Sequence, residues 1–300
     1  MDPENTTYDT RDNCNAIILT ASDKLIAGCQ TSTIPNGVKE IETWAFSHCS
    51  GLTSITIPSS VKKIGYSVFT ECNDLASIKV DPENTVFDSR DNCNAIIGTA
   101  SNKLFYGCKN TIIPDGVTII REDAFGCCSG LTSIVIPGSV TTIERSAFYQ
   151  CIGLTSVTIG NGVKNIEDGA FSNCSSLTSI TIPGSVTSIG KWAFFGSEQE
   201  VISKIENPFD IYTNTFSENT FLNATLYVPI GTIDKYKATE GWKLFANIKE
   251  GDPSGITSLE TERAKEIKRY TLDGRVVKGS HYGINIIQMK DGTTKKVVVK

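Results

Sequence analysis

The chain has 300 residues, 39% hydrophobic and 20% charged, a balance that supports a folded core and argues against disorder; no stretch approaches ~18 consecutive apolar residues, which excludes a bilayer-spanning helix. Its net charge of -5 is uneven: residues 251–300 hold ten Lys/Arg and six Asp/Glu, while residues 1–250 hold eighteen and twenty-seven. So acidic a body repels phosphate and argues against nucleic acid as a partner, and the two histidines, His48 and His281, leave little for His-based catalysis or metal binding.

From the N-terminus, residues 2–38 match residues 81–117 at an offset of 79. Asp2-Pro3-Glu4-Asn5 returns as Asp81-Pro82-Glu83-Asn84, Arg11 to Ile18 as Arg90 to Ile97, and Gly28-Cys29 as Gly107-Cys108. Each copy predicts a hairpin, in the first with strands 14–19 and 24–29 turning near Ala21-Ser22, inside a 33-residue unit.

Between and after these copies runs a 23-residue period. Its phase marks are Ile34, Ile57, Val80, Ile113, Ile136, Ile159, Ile182, Ile205 and Val228, with one step of 33 between Val80 and Ile113. Each regular unit carries Ala-Phe followed two residues on by Cys, as at Ala45-Phe46 with Cys49, then Leu-Thr-Ser-Ile, as at Leu52 to Ile55. Leu52, Ile55 and Ile57 give the LxxLxL spacing of a leucine-rich repeat, and the alternation over Ser54-Ile55-Thr56-Ile57 predicts a short strand with one buried face. Ser67 to Cys72 predicts a single helical turn that presents Phe69 inward.

One such unit cannot bury its own apolar face, but stacked units can. The expected fold is therefore a β/α solenoid: a right-handed leucine-rich-repeat superhelix of 23-residue coils, one sheet of parallel strands and two hairpin-bearing 33-residue units. Nine coils at ~4.8 Å per strand would be roughly 43 Å long. Met1 falls where Val80 falls in the second copy, so the chain is read as starting in mid-solenoid, with no signal peptide visible.

The solenoid is placed at 1–195 and degenerate capping repeats at 196–250, where Trp192, Tyr212, Tyr227, Tyr236 and Trp242 are expected mostly in the core. Residues 251–256 read as a linker and 257–300 as a basic all-β tail, with hairpin signals at Asp273-Gly274 and Asp291-Gly292.

The unit with Ile-Pro-x-x-Val, Ala-Phe-x-x-Cys and Leu-Thr-Ser-Ile resembles the BspA-like leucine-rich repeats of bacterial surface proteins, over roughly residues 2–250. The tail, with Tyr270 to Arg275 and the ending Lys296-Val297-Val298-Val299-Lys300, is similar to the sorting domains of type IX secretion, though shorter. The resemblance implies a non-catalytic protein, secreted or attached to the outer membrane, that adheres to host extracellular proteins or to other cells. It brings no catalytic residues and no cofactor.

Two surfaces are candidates for binding. Tyr8 with Arg11, and Phe87 with Arg90, place an aromatic and an arginine together twice; the alternative is that each arginine pairs with its neighbour, Asp12 or Asp91, to fix the hairpin base. The strand face offers a ladder that includes Ser54, Thr56, Lys79, Thr158 and Thr181, open to a weak protein or glycan contact or simply a solvated sheet. The latter reading makes the protein a spacer that displays something else. A monomer is expected.

The ten cysteines read mainly as chemistry-free. Cys49, Cys72, Cys128, Cys151 and Cys174 recur at one phase and are expected as a buried column. Cys14 with Cys29, and Cys93 with Cys108, sit symmetrically about the hairpin turns, where a disulfide and plain core packing remain alternatives.

Overall fold

The computed structural model describes residues 5–197, 200–253, 266–271, 275–277, 283–289 and 294–299. The chain divides into two compact units, Met1–Gly251 and Asp252–Lys300.

In the first unit the alternating stretches form four-residue strands at Ser54–Ile57, Ser77–Val80, Ser133–Ile136, Ser156–Ile159 and Ser179–Ile182. They pair in parallel: Ser54 lies opposite Ser77, and Ser133 opposite Ser156. A third parallel sheet runs from Ser179–Ile182 through Glu200–Ser203, Thr225–Val228 and Asn247–Glu250.

One sheet was the expectation, and the coil has a second parallel ladder. It is built of two-residue strands, among them Glu40–Ile41, Lys63–Ile64, Ile119–Ile120, Thr142–Ile143, Asn165–Ile166 and Ser188–Ile189. The cause is a second buried pair in each coil, such as Val61 with Ile64 and Val140 with Ile143. Two residues are too few to show a period-2 pattern.

The expected helical turn is also absent, and with it the β/α character of the regular coils. The N–H of Phe148 donates to Ala170 O and that of Phe171 to Ala193 O, both at 2.8 Å, so these groups are spent between coils and cannot close a helix within one. Among the described residues α-helix is confined to Glu218–Asn223 and Ile233–Ala238. Phe69 and its equivalents still face inward. Phe125, Phe148 and Phe171 stack at centroid distances of 4.8 and 4.9 Å with rings within 9° of parallel, and the column runs on through Phe194 to Phe216.

Each hairpin unit is a three-stranded antiparallel meander: Tyr8–Asp9, Ile17–Leu19 and Lys24–Ala27, then Phe87–Asp88, Ile96–Gly98 and Lys103–Tyr106. Its last strand joins the short-strand ladder in parallel, Leu25 against Ile41 and Leu104 against Ile120. The unit has no Ala-Phe turn. Gly28 and Gly107 occupy its place, where a Cβ would collide with the rings of Phe46 and Phe125.

The C-terminal coils close the core with large rings. Trp242 is fully buried and donates from Nε1 to Phe209 O at 2.9 Å, and Tyr236 bonds through Oη to Ile205 O at 2.7 Å. Trp192 and Tyr212 depart from expectation: 47% and 51% exposed, they lie on the surface.

The second unit is an antiparallel sheet in the order Val276–Val277, Glu266–Thr271, Gly283–Met289, Thr294–Val299. The two Asp-Gly turns, His281 and residues 254–256 of the expected linker lie outside the described residues.

Candidate functional site

The hairpin arginines are bound internally. Arg11 grips Asp9 with two bonds, Nε at 2.8 Å and Nη2 at 2.7 Å, and reaches Asp23 through Nη1 at 2.8 Å. Arg90 does the same to Asp88, both bonds at 2.7 Å, and reaches Asn102 at 2.9 Å. The partner is thus the aspartate two residues earlier, not Asp12 or Asp91, which take left-handed backbones with φ 58° and 56°. These bonds hold Asp9 well below the usual carboxylate range. At Asp88 burial pushes upward and the Arg90 bonds outweigh it, so the pKa again falls.

The aromatic half of the expected contact point also fails to recur. Tyr8 is exposed, but Phe87 is buried with its ring edge-on to Phe105 at 5.3 Å. The second copy has the coil of Ser77–Val80 beneath it. Tyr8, Arg11, Phe87 and Arg90 therefore do not form a repeated binding pair.

On the strand face Ser54, Thr56, Lys79 and Thr158 point to solvent and Thr181 is half-buried. Thr56 stands beside Lys79, and Thr181 beside the buried Ile202. An open depression of about 270 Å³ lies by Ser54, Thr56, Pro58 and Asp81. These five ladder residues are a flat polar surface with no aromatic anchor.

All ten cysteines are free thiols, so the pairs Cys14/Cys29 and Cys93/Cys108 are not bridged. In each pair the two sulfurs serve different carbonyls: Cys93 Sγ contacts Ala95 O at 3.8 Å and Cys108 Sγ contacts Asn94 O at 3.4 Å. Of the five cysteines expected in a buried column, Cys72, Cys151 and Cys174 are buried, donating to Phe46 O, Phe125 O and Phe148 O at 3.0 to 3.2 Å, while Cys49 and Cys128 are only half-buried. Burial pushes the Cys72 and Cys174 thiols up to about 12.

Exposed aromatic side chains lie elsewhere, on the edge where each regular coil enters its turn. The entering residue is left-handed in every regular coil: Trp44 (φ 60°), Ser67 (49°), Asp123 (55°), Ser146 (54°), Gly169 (65°) and Trp192 (56°). Except at Ser67, their N–H groups bond along the solenoid, Trp44 to Tyr66 O at 3.0 Å and Trp192 to Asn214 O at 3.0 Å, so they stand in a row. Trp44 is 67% exposed and Tyr66 beside it 54%.

The row meets a discontinuity at the second hairpin unit. With no turn there, Ser67 faces Asp123, 56 residues on, and its Oγ donates to Asp123 Oδ2 at 3.1 Å. Arg121 reaches back across the gap, Nη1 donating to Gly65 O at 3.1 Å and to Tyr106 Oη at 3.3 Å. Its guanidinium lies over the Tyr66 ring at 4.1 Å, with Phe105 and Tyr106 at 5.0 and 5.6 Å. An enclosed cavity of about 10 Å³, lined by Phe69, Tyr106, Asp123 and Phe125 among others, is the size of one water. Burial pushes Tyr106 up to about 12 and raises Asp123 as well, against its Ser67 hydrogen bond and the nearby Arg145 and Arg121.

At the far end of the row Lys191 Nζ sits 5.2 Å over the Tyr212 ring. Sequence reasoning passed over Trp44, Tyr66 and Arg121. The available signal was register: Trp44 stands where the other units have Ser, Asp or Gly and only Trp192 repeats it, and Arg121 where Glu42, Gly65, Glu144, Glu167 and Gly190 stand. Among the described residues no group of three or more His, Cys, Asp or Glu could hold a metal ion, and no helix is long and apolar enough to cross a membrane.

This architecture has relatives. A family model described as a BspA type leucine rich repeat region matches residues 22–95 and 98–223, in six copies. Among solved structures the chain is similar to the pneumococcal vaccine antigen PcpA, at 19% identity over 75% of this chain and 65% of that one, with a TM-score of 0.52. It is also similar to a leucine rich cell surface protein of Faecalibacterium prausnitzii A2-165 (24% identity, 74% and 60% of the two chains, TM-score 0.46) and to a leucine-rich repeat protein of Bacteroides ovatus ATCC 8483 (19%, 82% and 75%, TM-score 0.41). The chain thus spans less than two thirds of the length of the first two, and the likeness to PcpA is one of fold. No curated protein matches it. On the match to two thirds of its residues, the chain belongs to the BspA-type leucine-rich repeat family.

Proposed function

We propose that this chain is a non-catalytic binding protein of the bacterial surface, attached to the outer membrane or secreted, that adheres to a host extracellular protein or to another cell. The observation that carries this reading is the exposed cluster of Trp44 and Tyr66 with Arg121 stacked on the latter. Trp, Tyr and Arg are the residues in which binding energy concentrates, and a solenoid presents them on a rigid edge at little entropic cost. The polar Ser/Thr ladder supports the rival reading, a spacer with no ligand of its own. The 23- and 33-residue units, the sorting role of the antiparallel second unit and a monomeric state belong to the same proposal.

The test is biolayer interferometry of the whole chain against immobilised matrix proteins, intact cells and a glycan panel at physiological salt. Saturable binding to a protein or cell that weakens about tenfold or more in Trp44→Ala, and not in Lys79→Ala, is the expected result. Binding lost in Lys79→Ala moves the site to the ladder. Binding to none of these surfaces sinks the adhesin reading and leaves the spacer.

A further inference from the structure

Arg121 is an exception within its own column. At the equivalent position Glu42 accepts the Thr43 N–H at 3.0 Å, Glu144 the Glu122 N–H at 3.0 Å and Glu167 the Arg145 N–H at 3.1 Å. Arg121 makes no such bond. It lies instead across Gly65, whose lack of a side chain leaves the carbonyl open to Nη1.

The residue is only 7% exposed, yet its charge has no carboxylate within ion-pair distance among the described residues. The neighbouring acids are engaged elsewhere. Asp123 gives Oδ2 to Ser67, and Glu144 is held by Lys103 at 2.6 Å and by the Glu122 N–H. Of the guanidinium's nitrogens only Nη1 donates to protein; Nε and Nη2 meet no acceptor among the described residues. These two form the edge that a carboxylate takes with paired bonds. Ser197 Oγ is the sole side-chain N or O atom among the described residues that is both fully buried and unpartnered, so Nε and Nη2 of Arg121 each touch solvent.

We propose that the Nε/Nη2 edge of Arg121 binds a carboxylate, and that its occupant is a single Asp or Glu side chain of a protein partner whose flanking apolar residues lie on Trp44 and Tyr66. Three features select this occupant. The rings fix the guanidinium in place before binding, so little order is lost on contact. The exposed Tyr66 ring on which it stacks, with Trp44 bonded to the Tyr66 carbonyl, offers apolar area. Residues 1–250 hold twenty-seven Asp/Glu against eighteen Lys/Arg, so a polyanion would be repelled along its length while one isolated carboxylate is not. The proposal rests on the binding reading above only for the identity of the partner.

The experiment follows the Nε–Hε signals of the full chain in ¹⁵N–¹H spectra, with the Arg121 signal assigned by its loss in Arg121→Lys. The first probe is sodium acetate, compared with sodium chloride at equal ionic strength. The second is acetyl-Leu-Glu-Leu-amide, compared with its Gln analogue and with a hyaluronan oligosaccharide. A saturable shift of the Arg121 signal with acetate alone, and about tenfold tighter binding of the Glu peptide than of the Gln peptide, is the expected result. No shift beyond that of chloride, equal response to the two peptides, or tighter binding of the oligosaccharide overturns the proposal. The peptide comparison needs no variant, so it stands if Arg121→Lys does not fold. Acetate binding without adhesion to any surface would sink the adhesin reading alone; adhesion without acetate binding would sink this inference alone.

Discussion

Trp44 combines two properties that rarely coincide. Its backbone is left-handed at φ 60°, which costs a bulky residue about 1 kcal/mol, and its ring is 67% exposed and recovers little by burial. Asparagine tolerates this conformation. Trp44→Asn is therefore expected to stabilise the protein by about 0.5–1 kcal/mol in urea denaturation while weakening ligand binding about tenfold or more. Loss of stability in this variant would show that the ring holds the fold together. The thiols give a second check at this scale. Ellman's reagent should find ten free thiols after denaturation. In the native protein Cys29 should react first, because it is exposed and its thiol is acidified by bonds from Ser32 and Thr31. A titre of six would restore the two hairpin disulfides.

Among the elements, one ion pair ties the strands of the second hairpin unit. Arg90 closes both bonds on Asp88 and ties the strand Phe87–Asp88 to Asn102 before the strand Lys103–Tyr106. The folded pKa of Asp88 is depressed, so its stabilisation is complete above the unfolded value near ~4 and is lost as pH falls through the folded value. The melting temperature should be flat in this respect from pH 8 to about 5 and drop below about pH 4. Asp88→Asn should cost about 1–2 kcal/mol at pH 7 and flatten the acid limb. An unchanged acid limb in that variant would place the acid sensitivity elsewhere.

Across the first unit the core is two clusters, not one. The first runs from Cys14 to Val80 and includes Phe87, Ile96, Tyr106 and Cys108; the second includes Cys93, Ala95, Ile97 and Leu104 and continues to Phe245. They meet at the second hairpin unit, whose strands send alternate side chains to either side. A solenoid is stabilised by nearest neighbours, so each block should open with its own free energy. Hydrogen exchange should show two protection levels with the boundary between residues 93 and 108, and Phe148→Ala, at about 3–5 kcal/mol, should lower the C-terminal level more than the N-terminal one. A uniform fall along residues 5–251 would mean one cooperative block.

The recurrence of Leu, Ile, Phe and Cys at one phase determined the solenoid, because coils of equal length stack like on like and Phe125, Phe148 and Phe171 can only bury one another that way. The two hairpin units were legible for the same reason, as copies at an offset of 79. The second ladder was not, since Lys63–Ile64 and its equivalents are too short to carry a period. Nor were the arginine partners: Arg90 chose Asp88 over Asp91 because Asp91 adopts a left-handed turn that sequence adjacency does not reveal. The edge proposed for binding lay furthest from view. Arg121 meets Gly65 and Tyr66 across 56 residues only because a hairpin replaces one turn and lets two distant coils face each other. Local pattern decides which residues are buried, since burial repeats with the coil. Which exposed residues come together depends on how coils are stacked and where one is skipped, and that is settled only when the chain has folded.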